Sequence, residues 1–145
     1  MVVWITGLSG AGKTTLANAL LPLLPQPALL LDGDVMRDAL SPLGGGFEYD
    51  DRKRLAHTYA RLCKMLAEQD MTVVCATISM FHEVREWNRC NLPGYFEVYL
   101  KATDKSLLER DYKQVYQANS GSVGRGKVVG EQIQPEFPQN PDIQF

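Results

Sequence analysis

Short apolar runs recur through the first hundred or so residues of the chain, each bounded by glycine, proline or a charged residue. Their length and their β-branched content predict buried strands rather than helices. The predicted strands cover residues 2–6, 28–31, 71–76 and 95–100. Because the 71–76 run is apolar at almost every position, we expect it to lie in the interior of a parallel sheet.

Amphipathic segments separate these runs and predict helices over residues 13–21, 51–69, 81–89 and 104–111. The longest of them carries an apolar face and a basic stripe beside it. The apolar face, which we expect to be buried, consists of Leu55, Tyr59, Leu62 and Leu66. The basic stripe, either a solvated face or a phosphate-facing edge, consists of Arg54, His57, Arg61 and Lys64. Strands alternating with helices predict an α/β fold, with a parallel sheet and helices on both of its faces.

A glycine-rich segment lies between the first predicted strand and the first predicted helix. It reads Gly7, Leu8, Ser9, Gly10, Ala11, Gly12, Lys13 and Thr14, which fits G-x-x-x-x-G-K-[ST] in full. Such a loop wraps a phosphate chain with its backbone N–H groups, and the following helix adds its positive end. In this motif the lysine reaches the β- and γ-phosphates of ATP, and the threonine hydroxyl binds Mg²⁺. The sequence therefore predicts a three-layer P-loop fold that binds ATP and Mg²⁺.

Two other classes of nucleotide-binding protein use comparable loops. A dinucleotide-binding fold requires G-x-G-x-x-G, whereas the glycines here fall at positions 7, 10 and 12. A GTPase would carry Asn-Lys-x-Asp to read guanine, and the sequence contains no such run. A kinase is therefore the first hypothesis, a regulatory nucleotide switch the second, and a nucleic-acid ATPase the third.

Two carboxylates follow the second predicted strand, at the edge where open parallel sheets bind ligands. Asp32 is a candidate for holding hydrated Mg²⁺, and Asp34 for orienting or deprotonating an attacking hydroxyl. The alternative is a turn with a helix N-cap, because aspartate favours both. Arg37 lies about one helical turn beyond Asp34 and is a candidate for binding an anionic group of the acceptor.

Composition and charge narrow the class of partner. The chain has 145 residues, enough for a single domain over 1–145, and 45% of them are hydrophobic. A net charge of −2 argues against nucleic-acid binding, which usually needs a basic excess. No run approaches the roughly 18 apolar residues of a membrane span. We expect a small-molecule nucleotide as partner, no nucleic acid and no membrane, with a homodimer left open.

The three cysteines lack the spacing of a zinc site or a disulfide framework. We therefore expect them to be buried packing residues in a cytoplasmic protein. Residues 119–130 are rich in glycine, serine, arginine and lysine, and predict a mobile lid over about 112–130. Arg110 ends the helix before that lid, where an arginine would cover ATP. The proline-rich residues 135–141 are not expected to be regular, and one more strand is expected to begin near Phe145, so the natural chain is expected to continue beyond it.

These features together resemble the adenylylsulfate kinase family over nearly the whole chain. The most specific matches are residues 4–15 and residues 31–34 with Arg37. Further matches are Gly46, Phe47, Asp51, Arg52, Ile78, Ser79, Arg110, Asp111, Lys113, Tyr116, Gly130, Asn140 and Pro141. The resemblance implies a fold like that of nucleoside monophosphate kinases and transfer of phosphate from ATP to adenylylsulfate, giving 3′-phosphoadenylylsulfate for sulfate assimilation.

The resemblance also implies roles for individual residues. Phe47 would stack on the acceptor base, and Arg37 and Arg52 would hold the acceptor's phosphate–sulfate group. Ile78, Ser79 and Lys113 would also contact the acceptor, while Thr15 and Arg110 would contact ATP. The family serine at Ser79 is sometimes described as a phosphoserine intermediate, but we expect direct in-line transfer, which needs only positioning and charge stabilisation.

The departures from the family pattern all touch the acceptor side. Leu55, His57 and Thr58 stand where the family has an asparagine and arginines, and Met80 and Phe81 replace a Pro-Tyr pair. Val128 or Val129 stands at the loop aromatic that sandwiches adenine. Residues 62–66 and 87–89 resemble members from bacterial surface-polysaccharide gene clusters, one branch of which phosphorylates a cytidine diphosphoramidate. Adenylylsulfate is therefore the first acceptor hypothesis and a cytidine diphosphoramidate the alternative.

Overall fold

The computed structural model describes residues 1–43, 46–101 and 134–145. Its strands are β1 (Val2–Gly7), β2 (Ala28–Asp32), β3 (Thr72–Thr77), β4 (Tyr95–Leu100) and β5 (Ile143–Gln144). Its α-helices are α1 (Lys13–Leu20), α2 (Gly33–Leu40), α3 (Tyr49–Ala67) and α4 (His82–Asn91). The predicted helix over 104–111, the predicted lid over 112–130 and the candidates Arg110, Lys113, Val128 and Val129 lie outside the described residues.

The five strands form one sheet in the order β2-β3-β1-β4-β5, and every pair is parallel. Ile5 of β1 aligns with Ala76 of β3 on one side and with Val98 of β4 on the other. β3 is buried along its whole length and lies between β2 and β1, which confirms the interior position predicted for it. All strands therefore point their carboxyl ends at the same edge.

Alternating side chains of the central strands fill two cores, one on each face of the sheet. Trp4 and Cys75 pack against α2, α3 and α4 on one face. Ile5 and Val74 pack against α1 on the other, where Ala17 is fully buried. The predicted three-layer α/β fold is therefore confirmed.

The buried face of α3 overlaps the one that the leucine spacing predicted, but its centre is displaced: Tyr59 is buried, and Leu55 and Leu66 pack against the same core only in part. Its buried residues are Ala56, Tyr59, Ala60, Cys63 and Ala67. Leu55, Leu62 and Leu66 are only half-buried, along the margin of that face. Small residues let the helix backbone approach the sheet closely, so the larger leucines flank the contact instead of filling it.

The basic stripe of α3 mostly contacts other side chains. His57 lies 3.3 Å from the Glu83 carboxylate of α4, and the Arg61 guanidinium lies over the Trp87 ring at 5.1 Å. Lys64 pairs with Glu68 one turn along α3. Two of the four stripe residues therefore contact α4, while Arg54 and Lys64 pair with carboxylates of neighbouring turns along α3. Of the cysteines, Cys63 and Cys75 are buried as expected, but Cys90 is exposed.

The C-terminal residues return to the sheet after the irregular segment predicted for 135–141. β5 pairs with β4, and Phe145 N–H donates to Tyr99 O at 3.0 Å. The additional strand expected near the chain end therefore begins at Ile143. Among the described residues, no helix is both long enough and apolar enough to cross a membrane.

Candidate active site

The glycine-rich loop joins β1 to α1 at the carboxyl edge of the sheet. Gly10 and Gly12 adopt φ angles of 78° and 93°, a left-handed region that favours glycine. A Cβ at Gly7 would lie 2.7 Å from Leu100 O, so this position has no room for a side chain. Each of these motif glycines therefore has a local steric reason to be glycine.

The start of α1 is arranged to receive an anion. Its N-cap, Gly12, supplies no side-chain cap, and its first turn contains no acidic residue. The helix beginning therefore has no side-chain cap and no acidic group to compete with a negatively charged ligand at the positive end of the helix dipole. The Lys13 ammonium donates to Leu8 O at 2.7 Å, which holds the cation over the loop.

One carboxylate links the loop to the end of β2. Asp32 Oδ2 accepts a hydrogen bond from Thr14 Oγ1 at 2.7 Å. Asp32 Oδ1 accepts from the backbone N–H groups of Asp34 at 2.9 Å and Val35 at 3.4 Å, and so caps α2. The helix-cap alternative raised for this turn therefore applies to Asp32, which combines the cap with a contact to the loop.

The Thr14–Asp32 pair also provides the oxygen ligands that Mg²⁺ prefers. Hydroxyl and carboxylate oxygens converge there at 2.7 Å, beside a loop built for phosphates. Mg²⁺ usually takes only one or two protein oxygens and completes its shell with water and substrate phosphates. The residues present therefore fit the metal that the motif implies.

Asp34 lies exposed in the first turn of α2, next to this pair. The turn that carries it is fixed from behind: Tyr59 Oη donates to Gly33 O at 3.1 Å, and a Cβ at Gly33 would lie 3.1 Å from Thr77 Oγ1. Burial raises the pKa of Tyr59 to about 12, and the charges of Arg37, Asp34 and Asp32 also act on it. Tyr59 therefore supports, from the side of the core, the turn that joins Asp32 to Asp34.

Arg37, Phe47 and Arg52 form a second group of predicted site residues. The guanidinium carbons of Arg37 and Arg52 lie 4.9 and 5.4 Å from the centre of the Phe47 ring. Arg52 Nε also donates to Phe47 O at 2.7 Å, and Arg37 Nη1 contacts Gly46 O at 3.4 Å. Burial, and next the charge of Arg37, lower the pKa of Arg52. The structure therefore gathers one aromatic face and two cations, an arrangement suited to a base with an attached anion.

The loop after β3 places Ile78 and Ser79 at the same edge of the sheet. Ile78 O accepts a hydrogen bond from Thr6 Oγ1. Ser79 adopts a φ of 31°, unusual for a non-glycine residue, and its buried hydroxyl lies 3.0 Å from Thr77 Oγ1. That hydroxyl is thus already engaged inside the fold.

Sequence reasoning missed three residues that hold this site together: Tyr59, Thr77 and Glu136. The helix periodicity places Tyr59 only on a packing face, and Thr77 follows the predicted third strand. Glu136, in a segment considered irregular, accepts hydrogen bonds from Tyr49 Oη and from the N–H of His82. None of these contacts is local in sequence, so no motif spacing signals them.

A P-loop kinase fold is defined by the order of the strands in the sheet, the glycine-rich loop and the Thr14–Asp32 pair. The family model for adenylylsulphate kinase matches residues 1–145. The chain belongs to the adenylylsulphate kinase family.

Curated relatives within this family carry two different names. The chain is 39% identical over 143 residues to the cytidine diphosphoramidate kinase of Campylobacter jejuni, covering 95% of this chain and 81% of the relative. It is 40% identical over 146 residues to the adenylyl-sulfate kinase of Deinococcus deserti, covering 98% of this chain and 79% of the relative. Overall identity therefore does not separate the two kinds of relative.

A solved structure extends the similarity to the whole fold. The Mycobacterium tuberculosis APS kinase CysC in complex with AMPPNP and APS is similar at a TM-score of 0.84 and 28% identity. The alignment covers 99% of this chain and 86% of that one. The fold of this chain is therefore similar to that of a protein solved with AMPPNP and APS bound together.

Proposed function

We propose that this chain transfers the γ-phosphate of ATP to the 3′-hydroxyl of a small nucleotide, with adenylylsulfate as the first candidate acceptor. The observation that carries the proposal is that the Arg37–Phe47–Arg52 group and the phosphate loop lie at one edge of the sheet. α2 connects them, because Asp32 caps this helix and contacts Thr14, while Arg37 belongs to its last turn. The phosphate loop and the proposed acceptor site are thus connected through α2.

The proposed reaction is a single in-line displacement. The acceptor's 3′-oxygen forms a bond to the γ-phosphorus of ATP while the bond from that phosphorus to the β,γ-bridging oxygen breaks, and ADP leaves. Asp34 takes the proton of the attacking hydroxyl and later releases it to water. Lys13 and the loop N–H groups bind the phosphates, where charge builds up during transfer. Mg²⁺, when bound through Thr14 and Asp32, would neutralise part of the phosphate charge.

On the acceptor side, Phe47 would stack on the base while the two arginines bind the anionic group attached to the ribose. Both arginines touch the same ring, so an acceptor engaging the ring brings its charged group within their reach. Ser79 would line the far side of this site without forming a covalent intermediate, since its hydroxyl is paired with Thr77.

A cytidine diphosphoramidate is the second candidate acceptor. Leu55, half-buried on α3, stands where the resemblance expects an amide that would face the acceptor. The Campylobacter relative that bears the cytidine name is as similar to this chain as the relatives that bear the adenylyl-sulfate name. The pocket chemistry of Phe47 and two arginines serves either nucleotide.

The test is a comparison of kcat/KM for ATP-dependent phosphorylation of adenylylsulfate and cytidine diphosphoramidate, with products identified by ³¹P NMR. We expect 3′-phosphorylation of one acceptor and loss of that activity in Lys13→Ala. Transfer to neither acceptor, with slow ATP hydrolysis and nucleotide-dependent conformational change only, would instead support a nucleotide switch and overturn the kinase proposal.

A further inference from the structure

Glu136 lies where the C-terminal segment crosses the beginnings of two helices. Its backbone N–H donates to Met80 O at 3.1 Å, and one carboxylate oxygen accepts from the N–H of His82, the first residue of α4. The other oxygen accepts from Tyr49 Oη at 2.7 Å, and Tyr49 is the first residue of α3. A single side chain therefore bridges the first turns of both helices.

Both helix beginnings adjoin the proposed acceptor site. Phe47 and Arg52 flank Tyr49 in the chain, and the loop with Ser79 leads directly into α4. An open cavity of about 600 Å³ is lined by Tyr49, His82 and residues 134–139. The Glu136 bridge thus lies in the wall of an open cavity between the first turns of α3 and α4.

The bridge uses a charged carboxylate. Burial disfavours the charge, but the hydrogen bonds from the His82 N–H and the Tyr49 hydroxyl outweigh it and leave the pKa of Glu136 below its ordinary value. The N-cap residue of α4, Phe81, makes no side-chain cap, so Glu136 supplies a negative group at that helix end from elsewhere in the chain. Hydrogen bonds to a charged acceptor are among the stronger ones in proteins.

The segment is anchored independently at its other end. Asp142 accepts from the Glu97 backbone N–H at 2.7 Å and pairs with Arg89, and Arg89 Nη2 donates to Asn140 O at 2.8 Å. Glu136 is therefore not needed to attach the segment to the sheet, and its two carboxylate contacts need another explanation.

We propose that Glu136 is a positioning residue of the acceptor site, which holds the first turn of α3 at a set distance from the loop after β3. Phe47 and Arg52 then face Ile78 and Ser79 with fixed spacing. Acceptor binding depends on this spacing, whereas ATP binding at the glycine loop does not. This inference rests on the proposed kinase function.

Glu136→Gln and Tyr49→Phe test the bridge from its two ends. Each should raise the acceptor KM by about tenfold and leave the ATP KM within about twofold. Glu136→Gln removes the negative charge from both hydrogen bonds of the bridge, and Tyr49→Phe removes one of the two outright. The double variant should be no worse than the more damaging single variant, because both break the same link. Additive losses, or equal effects on both substrates, would contradict the positioning role.

Asp142→Asn is the matched control, since it loosens the same segment without touching the bridge. It should lower the melting temperature while leaving the acceptor KM unchanged. An acceptor KM that rises as much in Asp142→Asn as in Glu136→Gln would overturn the inference, and so would an unchanged acceptor KM in a folded Glu136→Gln protein.

Amide hydrogen exchange separates this inference from the proposed function. Glu136→Gln should speed exchange in the first turns of α3 and α4 and leave that of α1 unchanged, whether or not any nucleotide is phosphorylated. Unchanged exchange at both helix beginnings would overturn the bridge even in an active kinase, whereas absence of phosphoryl transfer in the unaltered protein would count only against the kinase proposal.

Discussion

Thr14 Oγ1 donates a hydrogen bond to Asp32 Oδ2 at 2.7 Å, which joins the first turn of α1 to the end of β2. The second Asp32 oxygen caps α2, the helix that carries Asp34 and Arg37. One carboxylate therefore sets the position of the proposed acceptor helix relative to the phosphate loop. Precise placement of this kind is the main way in which a phosphotransferase accelerates its reaction.

Thr14→Ala should lower kcat by at least about tenfold, on the scale seen when groups that hold or orient a metal are removed. The variant loses both the hydroxyl proposed for Mg²⁺ and the hydrogen bond to Asp32. Thr14→Ser keeps the hydroxyl and should stay close to the unaltered protein. Turnover measured across a Mg²⁺ titration checks this, and a serine variant as impaired as the alanine variant would contradict it.

Lys13→Ala should abolish turnover and weaken ATP binding, because the phosphates lose the cation that the loop holds over them. Lys64→Ala removes a lysine from an exposed pair with Glu68 and serves as the control, with turnover unchanged. Multiple-turnover assays measure the turnover rate of each variant, and ATP titration measures its affinity for ATP. Near-normal turnover in Lys13→Ala would refute the assignment of the phosphate loop.

Asp34→Asn should lower kcat by roughly 10²–10⁴-fold, the usual range for a general base, with ATP affinity little changed. Asp38→Asn, an exposed carboxylate further along α2, is the matched control and should remain active. A small kcat effect at position 34 would remove Asp34 from the mechanism.

Tyr59→Phe should change how stability depends on alkaline pH. Because burial raises the pKa of Tyr59 to about 12, its contribution to the unfolding free energy is complete below the ordinary tyrosine pKa of about 10 and is lost as the pH rises through 12. The unaltered protein should therefore lose stability more steeply over that interval than Tyr59→Phe. Urea unfolding at several pH values gives the unfolding free energy of both proteins as a function of pH. If this free energy falls equally steeply with pH in both proteins, the prediction is refuted.

At neutral pH the same substitution removes the hydrogen bond to Gly33 O and should cost about 1 kcal/mol. It should also lower kcat, because the Asp32–Gly33–Asp34 turn loses its support. An unchanged kcat with the expected loss of stability would limit Tyr59 to a structural role.

The glycine loop and the four main strands were predictable because their signals are local. Gly7 to Thr14 form a contiguous motif, and each strand is a short, mostly apolar run. The convergence of Asp32 with Thr14 was also predictable, since parallel strands bring their carboxyl ends to one edge. These features can be predicted without knowing which side chains contact one another in the folded protein.

Other features depend on contacts that sequence spacing does not encode. The leucines of α3 located its buried face only approximately, because the packing distance to the sheet selects alanine and cysteine and leaves the leucines at the margin. Asp32 and Asp34 are equally good caps by residue type, and only the position at which the extended backbone of Asp32 turns into helix decides between them. Glu136 meets Tyr49 across more than eighty intervening residues, so its role was invisible in the sequence.

Phe47→Ala should raise the acceptor KM by about tenfold or more and leave the ATP KM unaffected. Stacking of a base on an aromatic ring contributes roughly 1–3 kcal/mol in single-strand nucleic-acid binding, and the same scale is adopted here. Arg37 and Arg52 would also lose the ring that both contact, so part of the cost should appear in binding of the anionic group. Phe96→Ala, at an exposed aromatic of β4, is the control and should change neither KM. Equal KM values in Phe47→Ala and the unaltered protein would place the acceptor base elsewhere and leave the two arginines as the acceptor's principal contacts.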